Sequence, residues 1–271
     1  MNLAARLWTI AQPILRIPPQ PFWRLAHRLA LAQMGIGTGS HCDNSGERHV
    51  LRVLARILPP CPTLLDVGAN RGQYTRLLAT AFPTSTIHSL EPSPSTFELL
   101  TEHVSTIPNV RAHNIGLSRT TQVTSLYSDQ AGSGLASLHN RRLDHLDISF
   151  DRTEAVTLHS LDRFCLDNNI SHVHFMKLDV EGHELAVFEG AAALLQQDAI
   201  SVVQFEFGGC NIHSRTYFQD FFDLLAPRFD LFRVLPYTLY PISHYRETDE
   251  VFVTTNYVAF SRARVNTRLA A

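Results

Sequence analysis

The apolar and polar positions of the chain predict strands and helices in alternation. Between its apolar runs, apolar residues recur every three or four positions, and from Tyr74 to Phe82 they line one helical face before Pro83 ends the helix. The apolar runs that predict strands of one main sheet are residues 64–67, 86–90, 110–117, 174–178 and 201–207. Strands that alternate with helices favour a mostly parallel sheet with helices on both faces.

Further strands are predicted outside this repeat. Residues 121–127 and 155–158 alternate and contain β-branched side chains, which predicts an inserted hairpin. Residues 129–150, here called the lid loop, show no clear periodicity, and a stretch of that length is more often a lid or substrate loop than an idle linker. Residues 229–234 and 257–260 predict an antiparallel pair that completes the sheet.

Residues 1–45 differ from the rest and predict an N-terminal helical extension before a single domain at residues 46–265. Prolines divide the extension into two short helical pieces, which carry four arginines, two tryptophans and no acidic residue before Asp43. Such a segment can lie on an anionic membrane surface, or it can pack its apolar side on the core or on a partner subunit. Packing is the favoured interpretation, and peripheral membrane contact through residues 1–35 is the alternative.

Composition narrows the class of protein. The chain has 271 residues, 45% hydrophobic and 18% charged, which is enough for one domain with an extension. Its formal net charge of -2, without aromatics interleaved among basic residues, favours no nucleic-acid partner. Four cysteines without a C-x-x-C pair indicate a reducing cytoplasm, and no apolar run reaches the length of about 18 residues that a membrane span needs.

A glycine-rich turn follows the first predicted strand and opens the first helix of the repeat. Asp66, Gly68, Asn70 and Gly72 lie in this turn, which lets a ligand approach the backbone closely but lacks the glycine patterns of dinucleotide and phosphate-binding loops. Asn tolerates the left-handed backbone conformation, so Asn70 need not break the turn. Glu91 ends the second strand, where an acidic side chain can accept both hydroxyls of a ribose. The pattern predicts a nucleoside-binding site.

Other chemically capable residues follow later strands. Ligands of an open α/β sheet bind at the carboxyl ends of its strands, where Asp179, Glu181, Glu206 and the segment containing Leu117 are expected to meet. Leu117 suits the cofactor, and the three carboxylates suit the substrate and the reaction. Lys177 shares one side of its strand with Asp179, and burying such charges is costly unless they are paired. An ion pair that orients the loop and a catalytic role for Asp179 are both open.

The turn resembles motif I of class I S-adenosylmethionine-dependent methyltransferases, and a longer series of blocks resembles the FkbM family of these enzymes. The blocks are Leu65-Asp66-Val67-Gly68-Ala69-Asn70-x-Gly72-x-Tyr74-Thr75, Leu90-Glu91-Pro92-x-Pro94, Gly116-Leu117-Ser118, Thr157-Leu158-x-x-Leu161-Asp162, and Lys177-Leu178-Asp179-Val180-Glu181-Gly182-x-Glu184 with Gly190. This resemblance covers about residues 60–208. It implies a Rossmann-like fold with a mostly parallel seven-stranded sheet, S-adenosylmethionine as cofactor, and O-methylation of a small-molecule or glycan acceptor such as a glycolipid or natural product.

Two mechanisms and two other functions stay open at this point. Asp179, with Glu181 and Glu206, can act as a general base or can hold a divalent metal that acidifies the acceptor hydroxyl. The metal-free base is favoured, because Gly208 and Gly209 follow Glu206 without an adjacent oxygen ligand. One other function is that of an NAD-dependent oxidoreductase, although this chain lacks the glycine pattern and the Tyr-x-x-x-Lys pair typical of such enzymes. The other is a non-catalytic scaffold that binds a partner through the N-terminal extension.

Overall fold

The computed structural model of the protein describes residues 19–37 and 45–265. The strands in these ranges are β1 Thr63–Val67, β2 Thr86–Leu90, β3 Val110–His113, β4 Gly116–Leu117, β5 Gln122–Ser128, β6 Arg152–His159, β7 Val173–Leu178, β8 Ile200–Phe207, β9 Phe229–Val234, β10 Leu239–Pro241 and β11 Thr255–Ser261. The α-helices are α1 Gln20–Gln33, α2 Glu47–Ile57, α3 Gln73–Ala81, α4 Pro94–Val104, α5 Leu161–Asp167, α6 Glu184–Glu189, α7 Ala192–Gln196, α8 Cys210–Ser214 and α9 Phe218–Leu225. Short 3-10 helices lie at Asp144–Leu146 and Glu247–Asp249.

The main sheet has the strand order β10-β9-β11-β8-β7-β1-β2-β3. Strands β3, β2, β1, β7 and β8 are parallel, and β11 and β9 form the expected antiparallel pair beside β8. The chain moves outward from β1 through β2 and β3, then returns to the other side of β1 at β7, so the order reverses between β1 and β7. Such a switch point opens a ligand crevice. The predicted Rossmann-like α/β fold is confirmed, with the short edge strand β10 as an eighth strand.

Alternation along the central strands builds a core on each face of the sheet. Leu64 and Phe175 contribute to one apolar cluster, whereas the next residues along the same strands, Leu65 and Met176, contribute to the other. Helices cover both faces, so strands such as β8 are almost entirely buried and read as continuous apolar runs. This burial makes the few polar residues on these strands informative about the site.

Residues 110–117 do not form the single strand that their pattern predicts. β3 joins the main sheet, whereas β4 pairs with β6 in a second sheet of order β4-β6-β5, which contains the predicted hairpin. The side-chain amide of Asn114 donates to the carbonyls of Glu91 and Pro92, at 2.9 and 3.1 Å, and so holds the chain in a turn between β3 and β4. This turn brings Leu117 to the crevice.

Helix α1 of the N-terminal extension does not bury its apolar side on the core, whereas Ile36 just after it is only 4% exposed. Packing of α1 on a partner subunit stays a prediction. Helix α1 has no buried residue, and Phe22, Leu25 and Leu29 are 51%, 56% and 58% exposed. Helices α2 and α3 bury apolar side chains in one of the two large core clusters. Residues 1–18 lie outside the described residues. Among the helices of residues 19–37 and 45–265, none is long and apolar enough to cross a membrane.

Candidate active site

A cavity of about 660 Å³ lies at the carboxyl ends of β1, β7 and β8, at the switch point of the sheet. Its size falls within the range of about 300 to 1,000 Å³ that is usual for small-molecule sites. The site residues predicted from sequence that line it are Asp66, Gly68, Asn70, Glu91, Leu117, Asp179, Glu181 and Glu206. Gly72 does not line it. Gly72 precedes α3 at a φ of 79°, and a Cβ there would lie 2.8 Å from Leu100.

The glycine-rich turn brings the cofactor half of the cavity against the loop after β7. A Cβ on Gly68 would lie 1.9 Å from the carbonyl oxygen of Asp179, and the φ of Gly68 is 81°, so only glycine fits here. Asn70 has a φ of 48°, the left-handed conformation that the sequence led us to expect. The amides of Gly68 and Ala69 both donate to the carbonyl of Leu90 at 3.0 Å, which fixes the turn to the end of β2. Because Gly68 lies against the backbone of Asp179, the glycine-rich turn is in direct contact with the loop after β7.

Glu91 lies beside the turn and is only 6% exposed. One carboxylate oxygen accepts the Asn70 amide and the other the Ser93 amide, both at 2.9 Å. Burial raises the pKa of Glu91 to about 7, although these two hydrogen bonds oppose the shift. Because a carboxylate oxygen has two lone pairs, each still has capacity for a ligand hydroxyl.

Asp66 is fully buried and offers the cavity an oxygen without a partner. Its Oδ2 accepts the Thr75 hydroxyl at 2.6 Å, whereas its Oδ1 has no hydrogen-bond partner among the described residues. Burial raises the pKa of Asp66, and the charge of Lys177 opposes that shift. A buried acceptor without a partner is costly, so a ligand that donates to Oδ1 would be favoured.

Lys177 is the sole lysine of the chain. The strand register places it between Asp66 on β1 and Gln204 on β8, and its Nζ lies 2.7 Å from Oδ2 of Asp179 and 4.9 Å from the ring centroid of Tyr74. Burial alone would lower the pKa of Lys177, but nearby carboxylates, Asp179 foremost, outweigh burial and raise the pKa well above its usual value. The ion pair raised by the sequence pattern is therefore present, with Lys177 as a fixed cation.

Glu47 was missed by the sequence analysis. It is 5% exposed at the start of α2 and lines the cavity. Its Oε1 accepts Gln204 at 3.2 Å, and its Oε2 accepts the hydroxyl of Ser45 at 3.0 Å. Glu47 and Gln204 are 157 residues apart, and no motif of either segment points to the other. The only local signals are a polar Gln204 inside an apolar strand and an acid at a helix start.

The carboxyl groups of Glu181 and Glu206 lie in surroundings that disfavour their charged forms. Burial, with the charge of Asp179, raises the pKa of Glu181 to about 8 and that of Glu206 well above its ordinary value. Burial therefore favours the protonated form of Glu206 relative to an exposed glutamate. Glu181 has a φ of 51° and forms an ion pair with Arg141. The side chain of Asp179 is 37% exposed, compared with 17% for that of Glu181.

The lid loop forms one wall of the cavity, as its predicted role as a substrate loop requires. It is bonded to both halves of the site. Arg71, from the glycine-rich turn, donates to the carbonyl of Gly132 at 3.2 Å, and the hydroxyl of Ser137 donates to the carbonyl of Glu181 at 2.8 Å. Arg141, the other residue that sequence analysis did not assign, enters from this loop.

The described part of the chain contains no preformed metal site that the metal mechanism could use. Within residues 19–37 and 45–265, no group of three or more His, Cys, Asp or Glu side chains is arranged to hold a metal ion. The roles of Asp179 and Glu206, as base or as metal ligands, stay predictions.

A Rossmann-like sheet with a glycine-rich turn, an acid after β2 and carboxyl groups at later strand ends defines a nucleoside-binding domain of the methyltransferase type. The chain belongs to the methyltransferase FkbM domain family, whose model matches residues 66–231. The resemblance found in the sequence blocks is confirmed, and this family is one of methyltransferases.

Two curated relatives are similar over part of their length. Hexuronic acid methyltransferase AglP of Haloferax volcanii is 28% identical over 168 residues, which cover 61% of this chain and 65% of that protein. Methyltransferase 1 of Beauveria bassiana is 25% identical over 142 residues, which cover 47% of this chain and 57% of that protein. The chain thus matches less than two thirds of the length of either relative.

Solved structures give weaker likenesses. An rRNA methylase from Streptococcus thermophilus is 11% identical, with a TM-score of 0.42 over 80% of this chain and 96% of that one. Precorrin-6y C5,15-methyltransferase from Geobacter metallireducens is 10% identical, with a TM-score of 0.40 over 83% of this chain and 95% of that one. The strand order, rather than these low scores, identifies the Rossmann-like fold.

Proposed function

We propose that the protein transfers a methyl group from S-adenosylmethionine to a hydroxyl of a glycan, glycolipid or natural product. The observation that carries this proposal is the close approach of Gly68 to the backbone of Asp179, because both the glycine-rich turn and Asp179 line one cavity. The name of the relative AglP, a hexuronic acid methyltransferase, supports a sugar as acceptor.

The residues of the cavity fit this cofactor. Oδ1 of Asp66 is a buried acceptor without a partner, suited to the ammonium group, and Glu91 retains lone pairs for the ribose hydroxyls. Asn70 belongs to the turn beside Glu91, and Leu117 adds an apolar surface for the adenine. When bound, S-adenosylmethionine supplies the methyl group, and its sulfur keeps the electron pair of the broken bond.

Asp179 is the proposed general base. It takes the proton of the acceptor hydroxyl as that oxygen forms its bond to the methyl carbon. Lys177 holds one carboxylate oxygen of Asp179 in place, and this orientation leaves the other oxygen for the acceptor. Glu206 lines the same cavity and shapes the acceptor pocket, whereas Glu181 positions the lid loop through Arg141. Positioning of the acceptor supplies much of the remaining rate.

The experiment is methyl transfer from labelled S-adenosylmethionine to a panel of glycans, with and without a chelator. Asp179→Asn should lower turnover about 10²- to 10⁴-fold and leave cofactor affinity nearly unchanged. The exposed Asp223→Asn is the matched control. Chelation that abolishes activity, followed by recovery with Mg²⁺ or Mn²⁺, would instead favour the metal mechanism. Normal turnover of Asp179→Asn would leave positioning as the source of the rate, and calorimetric binding of NAD in place of S-adenosylmethionine would overturn the proposed function.

We also propose peripheral membrane contact through the N-terminal extension of a cytoplasmic protein. Phe22, Leu25 and Leu29 form an exposed apolar face on α1, and Arg24 and Arg28 flank this face, where they could contact anionic lipid headgroups. Within the described part of the chain, Cys61, Cys165 and Cys210 are free, as is usual in a reducing compartment.

A further inference from the structure

Arg141 is a buried cation of the cavity for which neither the family motifs nor the proposed chemistry names a ligand. It comes from the lid loop, its side chain is only 9% exposed, and it lines the cavity. A guanidinium is a permanent charge with five N–H donors, and burying it is costly unless its donors are satisfied. What Arg141 contacts therefore indicates what the cavity is built to receive.

The hydrogen bonds of Arg141 are incomplete. One terminal nitrogen, Nη1, is bonded to the carboxylate of Glu181. The Nε is buried and has no hydrogen-bond partner among the described residues. A fork of guanidinium donors matches the two oxygens of a carboxylate, so a carboxylate in the cavity would satisfy the donor that the protein leaves without a partner.

Lys177 and Arg141 differ in how far the protein occupies their donors. Lys177 is already engaged, because its Nζ bonds to Asp179 at 2.7 Å and the acids Asp66 and Glu47 also lie nearby. Arg141, in contrast, keeps a buried Nε without a hydrogen-bond partner among the described residues. An anionic group on the ligand would accept from this donor.

Arg141 lies on the acceptor side of the cavity. Its partner Glu181 is two residues after Asp179, and the Ser137 hydroxyl ties the lid loop to the backbone of Glu181 at 2.8 Å. The cofactor side has its own cation, Arg71, in the glycine-rich turn.

We propose that Arg141 binds a carboxylate of the methyl acceptor, so that the acceptor is an acidic sugar rather than a neutral one. This inference rests on the proposed function and refines its acceptor class. Arg141 is then the residue that determines specificity, and the lid loop carries it to the substrate.

The test is calorimetric binding of glucuronic acid and of glucose to the full chain saturated with S-adenosylhomocysteine. The parent protein should bind glucuronic acid at least about 10-fold more tightly than glucose, the effect expected of one charge-assisted hydrogen-bonded contact. Arg141→Gln should abolish this preference and leave the affinity for S-adenosylhomocysteine unchanged. Arg142→Gln is the matched control, because Arg142 is adjacent in sequence but its side chain is 87% exposed.

Several results would overturn the inference. They are equal or undetectable binding of the two sugars by the parent, a preference that survives in Arg141→Gln, or a loss of S-adenosylhomocysteine affinity in that variant. If Arg141→Gln does not fold, the test uses the affinities of the parent protein for the two sugars together with the variant Arg141→Lys. Lysine keeps the positive charge but lacks the paired donors of a guanidinium, so this variant should retain only part of the preference for glucuronic acid. A parent protein that does not bind S-adenosylmethionine would instead contradict the proposed function itself, and this result is distinguishable from a failure of the Arg141 inference.

Discussion

Replacing Lys177 with Met tests whether the buried cation holds the site together. Methionine has similar length and suits an apolar environment, so the change removes a charge with little change of shape. The parent Lys177 is 7% exposed, bonded to Asp179 at 2.7 Å and beside the buried acids Asp66 and Glu47. Without it, these carboxylates lose their common counter-charge.

The size of the effect follows from burial. Breaking a buried ion pair costs about 3 to 5 kcal/mol, but the Asp179 side chain is 37% exposed and its share is screened by solvent. We therefore expect a loss near the lower end, about 3 kcal/mol. At about 2 to 4 °C per kcal/mol for a domain of this size, the melting temperature should fall by about 6 to 12 °C. Arg142→Met, which removes an equal charge from the surface, should change the stability by less than about 0.5 kcal/mol.

The loss of stability caused by Lys177→Met should depend on pH. In Lys177→Met the pKa of Asp66, already raised by burial, rises further because the opposing cation is gone. A group whose pKa is raised on folding contributes stability below its unfolded pKa and loses it as the pH rises through the folded pKa. The deficit should thus be largest near pH 8 and shrink towards pH 5. In the parent, the raised pKa of Lys177 makes its own contribution constant over this range.

Thermal and denaturant unfolding at pH 5 and pH 8 measure this difference. Because Lys177 is the sole lysine, ¹³C-lysine labelling also yields one side-chain signal, which should not titrate up to about pH 10.5 in the folded protein. A loss no larger than that of Arg142→Met, or a deficit independent of pH, would refute the buried-cation argument.

Two further predictions concern the cofactor and the membrane. Since the pKa of Glu91 is about 7, this side chain is mostly protonated at pH 6 and mostly charged at pH 8. The affinity for S-adenosylmethionine, measured by calorimetry, should therefore fall about 10-fold from pH 8 to pH 6, and Glu91→Gln should bind weakly at both pH values. An affinity of the parent protein that does not change with pH would contradict the ribose role of Glu91. In a sedimentation assay the protein should bind vesicles of phosphatidylglycerol and should not bind vesicles of phosphatidylcholine, and the double variant Arg24→Gln/Arg28→Gln should bind phosphatidylglycerol less. Equal binding to both lipids would mean that the apolar face of α1 serves another partner.

The sequence by itself determined the repeating βα architecture and the edge of the sheet where the site lies. Apolar periodicity specifies strands and helices locally, and the turn at residues 66–72 needs particular backbone conformations, such as the positive φ of Asn70. Because parallel strands all end at one edge, Asp66, Glu91 and Asp179 could be expected to meet there, and all three line the cavity.

The tertiary structure decided which side chains pair and which are buried. Glu47 reaches Gln204 across 157 residues, and Arg141 crosses from the lid loop to Glu181. Likewise, the pKa of Glu206 is raised because neighbours from other elements exclude water from it. Periodicity and turn chemistry act over a few residues, whereas burial and charge pairing arise from contacts between distant segments, and no local pattern encodes those contacts.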